Sequence, residues 1–372
     1  MRLFHLVLYS IIISMGLMTS SCKENKILFA GGFTKEGEKG LLLFEFNEKD
    51  GSLKLVSQWD AGTNPSFFCF SRERNIIYTI NEVMEFNGKP GGGVTALKFN
   101  PEGKSLEKKG ELVVPFGGPC HISLSADGGY LLMANYATGS VAVVKLDENG
   151  IPQMVSDTIL YETKAPDVSH AHMILQDPSG KHVYITDLGL DRIMIYDFDP
   201  ARGKLIPYKI NSVPVSKGSG PRHFAFNEDN SKFYLINELG STIMVFDVVE
   251  GEGLKLIQTI QTLKEDFEGK NYCADIHLGA NGDFLYGSNR GENSIVVFKI
   301  EKDGLLTLAG RISCGGDWPR NFVIDPSGKF LLAGNQRSDN ISVFRINGET
   351  GIPEGPVKVI SMKAPGCLRF WN

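Results

Sequence analysis

The sequence predicts an all-β fold, a propeller of seven four-stranded antiparallel blades, and three observations predict it. A signature recurs at intervals of 45 to 54 residues, the length of four strands with their turns. Within each interval, short runs alternate apolar and polar side chains between turn residues, and no stretch carries a sustained helical stripe. The last signature also stops after one strand, while the start of the chain supplies the three strands it lacks.

Six signatures are complete: Asn64 to Glu82 (NPSFFCFSRERNIIYTINE), Gly118 to Tyr136, Ser169 to Leu188, Gly220 to Glu238 (GPRHFAFNEDNSKFYLINE), Cys273 to Arg290 and Trp318 to Gln336. In the fourth repeat the spacing predicts strands over His223 to Phe226, Lys232 to Ile236, Thr242 to Val248 and Leu254 to Ile260. A polar turn, Asn227 to Ser231, separates the first two. The seventh signature begins at Pro365, and Ile27 to Phe33, Gly40 to Phe46 and Leu53 to Trp59 match a second, third and fourth strand. Pairing the two chain ends in one blade closes the ring and removes an exposed sheet edge.

The chain ahead of these strands reads differently. Arg2, an apolar stretch from Leu3 to Met18, and the small residues Thr19, Ser20 and Ser21 before Cys22 have the order of an export signal. Its end resembles a bacterial lipobox with Cys22 as the lipidated residue. Residues 1–22 are therefore expected to be a lipoprotein signal and residues 23–372 the propeller, on an exported, membrane-anchored protein facing the periplasm or the cell surface. The five later cysteines, Cys69, Cys120, Cys273, Cys314 and Cys367, show no CxxC spacing and mostly lie in apolar runs, so they read as buried small hydrophobes. A net charge of −5 with scattered Lys and Arg gives no basis for binding nucleic acid.

Function is read from what differs between repeats. The last position of strand two holds Asn81, Asn135, Asp187, Asn237, Asn289 and Asn335, a series that reads as scaffold because short polar side chains bond neighbouring backbone where strands end. The next position diverges: Phe33, Glu82, Tyr136, Leu188, Glu238, Arg290 and Gln336. A slot at the start of strand one diverges too, with Ser66, Cys120, His172, Arg222, Ala274, Arg320 and, on this reading, Cys367. Antiparallel strands put both slots on the same rim. His172, Arg222, Glu238 and Arg290 are thus expected to meet at one channel mouth as an anion-handling site. Arg320, Glu82 and His223 are the accompanying candidates for substrate contact. Strand alternation turns His223, like His121, to the opposite face, where packing or hydrogen bonding is the competing role; the same role is favoured for His277.

Several segments carry a family resemblance: GPRH at Gly220 to His223, NEL at Asn237 to Leu239, ADIH at Ala274 to His277, SNR at Ser288 to Arg290 and PRNF at Pro319 to Phe322. In these the chain resembles the seven-bladed propeller lactonase family over Ile27 to Asn372. The resemblance implies hydrolysis of a sugar-acid lactone, such as 6-phosphogluconolactone or a related aldonolactone, with the family's histidine on His172, its arginines on Arg222 and Arg290, and its acid on Glu238. It also implies a small-molecule substrate; some other propeller lactonases use a divalent cation, but the positive pair Arg222 and Arg290 argues against one here, so no cofactor or metal is expected. No GxSxG elbow suggests an acyl-enzyme. A muconate-type cycloisomerase, or a non-catalytic propeller that binds protein or glycan, are the alternatives, because a propeller fold hosts many functions.

Overall fold

The computed structural model describes residues 25–161 and 164–371, so the expected leader and Cys22 lie outside the described residues. All the regular secondary structure described is strand. Seven four-stranded antiparallel sheets follow one another along the chain. We number the blades I to VII by their first strands, Phe68–Ser71, Pro119–Leu124, Ala171–Gln176, Pro221–Phe226, Tyr272–Leu278, Pro319–Ile324 and Pro365–Phe370. Blade VII is the composite one: Pro365–Phe370 pairs antiparallel with Lys26–Gly32, which continues into Leu41–Phe46 and Leu53–Trp59. The ring is closed by backbone hydrogen bonds between chain ends, as the sequence predicts.

Core residues lie between neighbouring blades. Tyr234, Ile236, Ile243 and Val245 of blade IV pack against Ile276, Leu285, Val296 and Phe298 of blade V, all buried. Four strand-two tyrosines clasp the following blade at a turn: Tyr78 donates to the Gly150 carbonyl at 2.8 Å, Tyr130 to Pro200 at 2.9 Å, Tyr234 to Gly304 at 3.1 Å and Tyr286 to Gly351 at 2.8 Å. At the channel end away from strand-one starts, acidic side chains fold the first hairpins. Asp325 Oδ1 accepts from Lys329 and Phe330 N–H, and Asp177 Oδ1 from Lys181 and His182 N–H.

The polar series at the end of strand two is scaffold. Asn81, Asn135, Asn237, Asn289 and Asn335 are fully buried, and their amides donate to strand-three hydroxyls or loop carbonyls, as Asn237 does to Thr242 Oγ1 at 3.0 Å and Asn81 to the Ala61 carbonyl at 2.9 Å. The five later cysteines are free and buried.

Strand one departs from simple alternation. In blades II to VI its pairing with strand two slips by one residue just after the opening position, between Pro119 and His121, Ala171 and Met173, Pro221 and His223, Cys273 and Ile276, and Pro319 and Asn321. Blade VII slips at the same level, where Gly31 pairs with Cys367 and Gly32 with Pro365. Each slip is a bulge, an extra residue that bends the strand and re-aims its neighbours. Two expectations are corrected by it. The blade VII member of the first slot is Gly366, the residue after Pro365, and Cys367 belongs to the next slot. A Cβ at Gly366 would stand 2.6 Å from the Ser66 carbonyl oxygen, so the closing blade needs glycine there. The opposite-face expectation for His121 and His223 also fails, because the bulge lets both slots face the channel: Arg222, Arg320, His223 and Asn321 line one void.

Candidate active site

Seven first strands surround the channel with their starting ends at one mouth. Blade I sends Glu82 there, blade III His172, blade IV Arg222 and Glu238, blade V Arg290 and blade VI Arg320. Glu238 is the hub. Its Oε2 accepts from Arg222 Nε at 2.9 Å and lies 2.7 Å from Arg290 Nη2, so two guanidiniums from adjacent blades share one carboxylate oxygen.

Arg222 is 2% exposed, and a guanidinium so enclosed needs both a counter-charge and acceptors for its donors. Glu238 supplies the first, and the Ala274 carbonyl accepts from Arg222 Nη1. Arg290 is held similarly, with Nε donating to the Tyr272 carbonyl at 3.0 Å and Nη2 to that of Cys273 at 3.2 Å. Its guanidinium carbon sits 5.1 Å from the Trp318 ring centroid. Burial and the neighbouring like charge of Arg222 lower the pKa of Arg290. Both arginines are therefore fixed in place, the preorganisation that charge stabilisation in a reaction requires.

Arg320 is less tied. Its guanidinium carbon lies 5.0 Å from the Phe33 ring centroid and its Nη2 is 4.0 Å from Glu82 Oε2, while Ser66 Oγ donates to that same Glu82 oxygen at 2.5 Å. Three guanidiniums thus face two carboxylates, one positive charge in excess, which favours an anionic ligand.

His172 is 4% exposed. Burial, then the charges of Arg222 and Arg320 and Arg290 together with His223, hold its pKa well below the ordinary histidine value, so the ring is neutral near pH 7. Its Nδ1 is enclosed without a hydrogen-bond partner, which leaves Nε2 as the nitrogen open to a ligand. His170, two residues earlier, faces elsewhere: its ring stacks on Tyr136 at 4.5 Å, and its Nδ1 lies 2.9 Å from the Tyr136 carbonyl oxygen.

His223 lies one step deeper, on the channel axis rather than the rim, with Nδ1 2.7 Å from Asp275 Oδ1. Two aromatic residues of the mouth carry no role in the sequence reading. Tyr136 sits edge-on to His172 at 5.6 Å; burial and the Glu238 charge push its phenol pKa up, so it stays a donor. It occupies the same divergent slot as Glu238, which was the available signal. Trp318 stands where blades II and IV carry Gly118 and Gly220, and that replacement was its signal. Among the described residues no group of three or more His, Cys, Asp and Glu side chains is arranged to hold a metal.

A wide cavity lies elsewhere. About 740 Å³ opens at the opposite mouth, lined by the far ends of the first strands, among them Phe70, Arg72, Gln176, Phe226 and Phe370. Phe67, His121, His223 and Asn321 lie at its inner end, and beyond them toward the arginines only about 10 Å³ remains open. Charged groups from four blades converge at the narrow mouth, beside the neutral His172 ring of a fifth.

Comparison with known proteins agrees with the propeller fold. Residues 27–370 match the family model described as lactonase, seven-bladed β-propeller. A 6-phosphogluconolactonase of Formosa agariphila is 33% identical over 87% of this chain and 93% of its own length. A Bacillus subtilis 6-phosphogluconolactonase is 28% identical over 92% and 97%. The solved structure of a periplasmic gluconolactonase of Pseudomonas aeruginosa superposes with a TM-score of 0.86 at 32% identity, covering 93% of this chain and 98% of that one.

Proposed function

The chain belongs to the seven-bladed β-propeller lactonase family, and from that premise we propose that it hydrolyses a sugar-acid lactone by direct attack of water at the Arg222, Glu238, Arg290 and His172 mouth. The observation that carries the proposal is the Glu238 carboxylate shared by two buried guanidiniums next to a neutral imidazole.

Arg222 and Arg290, locked by Glu238 and by backbone carbonyls, present their remaining N–H donors to the carbonyl oxygen, which gains negative charge as water adds. Arg320, with the excess positive charge, receives an anionic or polyhydroxylated end of the substrate. His172 Nε2 takes a proton from the attacking water while a bond forms from the water oxygen to the carbonyl carbon. When the ring C–O bond breaks, the imidazolium returns that proton to the leaving alkoxide. The carboxylic acid product then ionises, so one proton is released per turnover. Glu238 holds the arginines rather than taking the proton, since its Oε2 already serves two guanidiniums. Charge on the bound substrate offsets the arginines and makes His172 a stronger base when it is needed.

On this proposal the leader-like segment ending at Cys22 would carry the reaction out of the cytoplasm on a lipid anchor, and the Pseudomonas relative, a periplasmic gluconolactonase, supports export. An unphosphorylated aldonolactone is therefore the first substrate to test and its 6-phosphate the second. Acid release from a panel of aldonolactones, with and without phosphate, is expected to exceed the spontaneous rate for at least one, and to be unchanged by a chelator. No acceleration on any lactone by folded protein would leave the mouth a binding site only.

A further inference from the structure

Behind the mouth lies a chain of buried polar side chains that the proposed reaction does not yet use. The second slot of the first strands places His223 and Asp275 side by side in blades IV and V. Asp275, 3% exposed, lies with Oδ1 2.7 Å from His223 Nδ1 and Oδ2 2.9 Å from His277 Nε2, and Oδ2 also accepts from Asn321 Nδ2 at 2.5 Å and Phe322 N–H at 3.3 Å. Four donors on one enclosed carboxylate fix it as an anion: burial pushes its pKa up, but His277, His223 and their hydrogen bonds outweigh this and hold it well below the carboxylate range.

His223 therefore donates Nδ1–H to Asp275, and its Nε2 carries a lone pair. That Nε2 is buried without a partner, as is Nδ1 of His172. The two rings stand 5.1 Å apart between centroids with no hydrogen bond between these nitrogens as placed, and a ring rotation without translation reaches the spacing of two imidazoles joined by a hydrogen bond of about 2.9 Å. Their 71° interplanar angle is no obstacle, because donor and lone pair each lie in their own ring plane. Two enclosed, unsatisfied nitrogens at this spacing each supply what the other lacks.

We infer that His223 and Asp275 are positioning residues for His172: His172 Nδ1–H donates to His223 Nε2, and His223 Nδ1–H to Asp275, which leaves the His172 Nε2 lone pair aimed at the mouth. The inference rests on the lactonase reading for its catalytic meaning. When His172 Nε2 takes the proton of the attacking water, the positive charge spreads over both rings and is balanced by the Asp275 carboxylate; the proton goes back through Nε2 to the ring oxygen, so none is lost along the chain. Without Asp275, the imidazolium would face Arg222, Arg290 and Arg320 with only Glu238 and Glu82 as counter-charges. The groups facing the pair are then Arg222, Arg290, Arg320 and Tyr136 around His172, and Arg222, His121, His277 and Asp275 around His223.

Nitrogen-15 NMR of the histidine rings in the intact protein tests the tautomers directly, with signals assigned through His172→Gln and His223→Gln. Neutral His172 is expected to carry its proton on Nδ1, and His223 to carry a strongly deshielded proton on Nδ1. A His172 proton on Nε2 overturns the inference. In kinetics, Asp275→Asn is expected to lower kcat about 100-fold, the low end of what positioned acid and base groups contribute. KM should stay within about threefold, and the acidic limb of kcat/KM should move to lower pH because the imidazolium loses its counter-charge. A folded Asp275→Asn protein with unchanged kcat and acidic limb also overturns it; if that variant does not fold, the tautomers alone decide. The expected tautomers in a protein that opens no lactone would sink the proposed function and leave the coupled pair standing.

Discussion

Glu238 looks like a catalytic carboxylate in the sequence and is, in the structure, the clamp of two arginines. Glu238→Gln keeps the shape but removes the counter-charge of Arg222 and Arg290 at once, and breaking a buried pair on one side typically costs about 3 to 5 kcal/mol. Its thermal midpoint is expected to fall together with kcat/KM, whereas His172→Gln is expected to lower kcat about 100-fold or more with a smaller change in midpoint, because a neutral ring is lost and no buried charge is left without its counter-charge. Calorimetry and steady-state kinetics on both variants check this split; a Glu238→Gln protein with unchanged midpoint would refute the clamp. The four residues expected at the mouth were legible because a repeat exposes positions where blades differ. Tyr136 and Trp318 were not singled out, since an aromatic residue in a divergent slot looks the same whether it packs or borders a ligand.

The informative element is the first strand of each blade. Its residues read as a simple strand, and the strand boundaries of blade IV were legible almost to the residue, His223 to Phe226 against Pro221–Phe226 and Lys232 to Ile236 against Lys232–Asn237. The bulge was not legible, because the extra residue is Cys120, His172, Arg222, Ala274, Arg320 or Gly366 in different blades and shares no type. That single inserted residue turns both slots to the channel and decides whether His223 belongs to the packing or to the site. The strand-two tyrosines are the second recurring device. Tyr234→Phe and Tyr286→Phe each remove a hydroxyl donated to a turn carbonyl of the next blade, and each is expected to cost about 1 kcal/mol by urea unfolding; no loss in either would show that ring packing alone holds adjacent blades.

At the scale of the whole molecule, closure between Lys26–Gly32 and Pro365–Phe370 was legible from the incomplete seventh repeat, and it brings residues more than a hundred positions apart to one opening. The same closure encloses three neutral histidines on the axis. Burial holds the pKa of His121 and His172 well below that of an unfolded histidine and that of His223 at about 4. The unfolded chain therefore takes up more protons as pH falls, so the stability these groups allow is complete above about 6.5 and is lost as pH drops toward their folded values. With three such groups the slope approaches about 4 kcal/mol per pH unit, and Asp275, whose folded pKa is also depressed, adds in the same sense below about 3.9. Unfolding followed from pH 7 to pH 4 is expected to show this steep acid loss, and a flat profile would contradict the buried neutral rings. The narrow mouth, and not the 740 Å³ cavity behind it, is the proposed place of lactone opening. It is tested most directly by the lactone-opening rate of Arg222→Ala beside that of Arg369→Ala, a residue lining only the wide cavity. Arg222→Ala is expected to lose about 100-fold or more in kcat/KM and Arg369→Ala to stay within about threefold; the reverse pattern would move the reaction to the wide cavity.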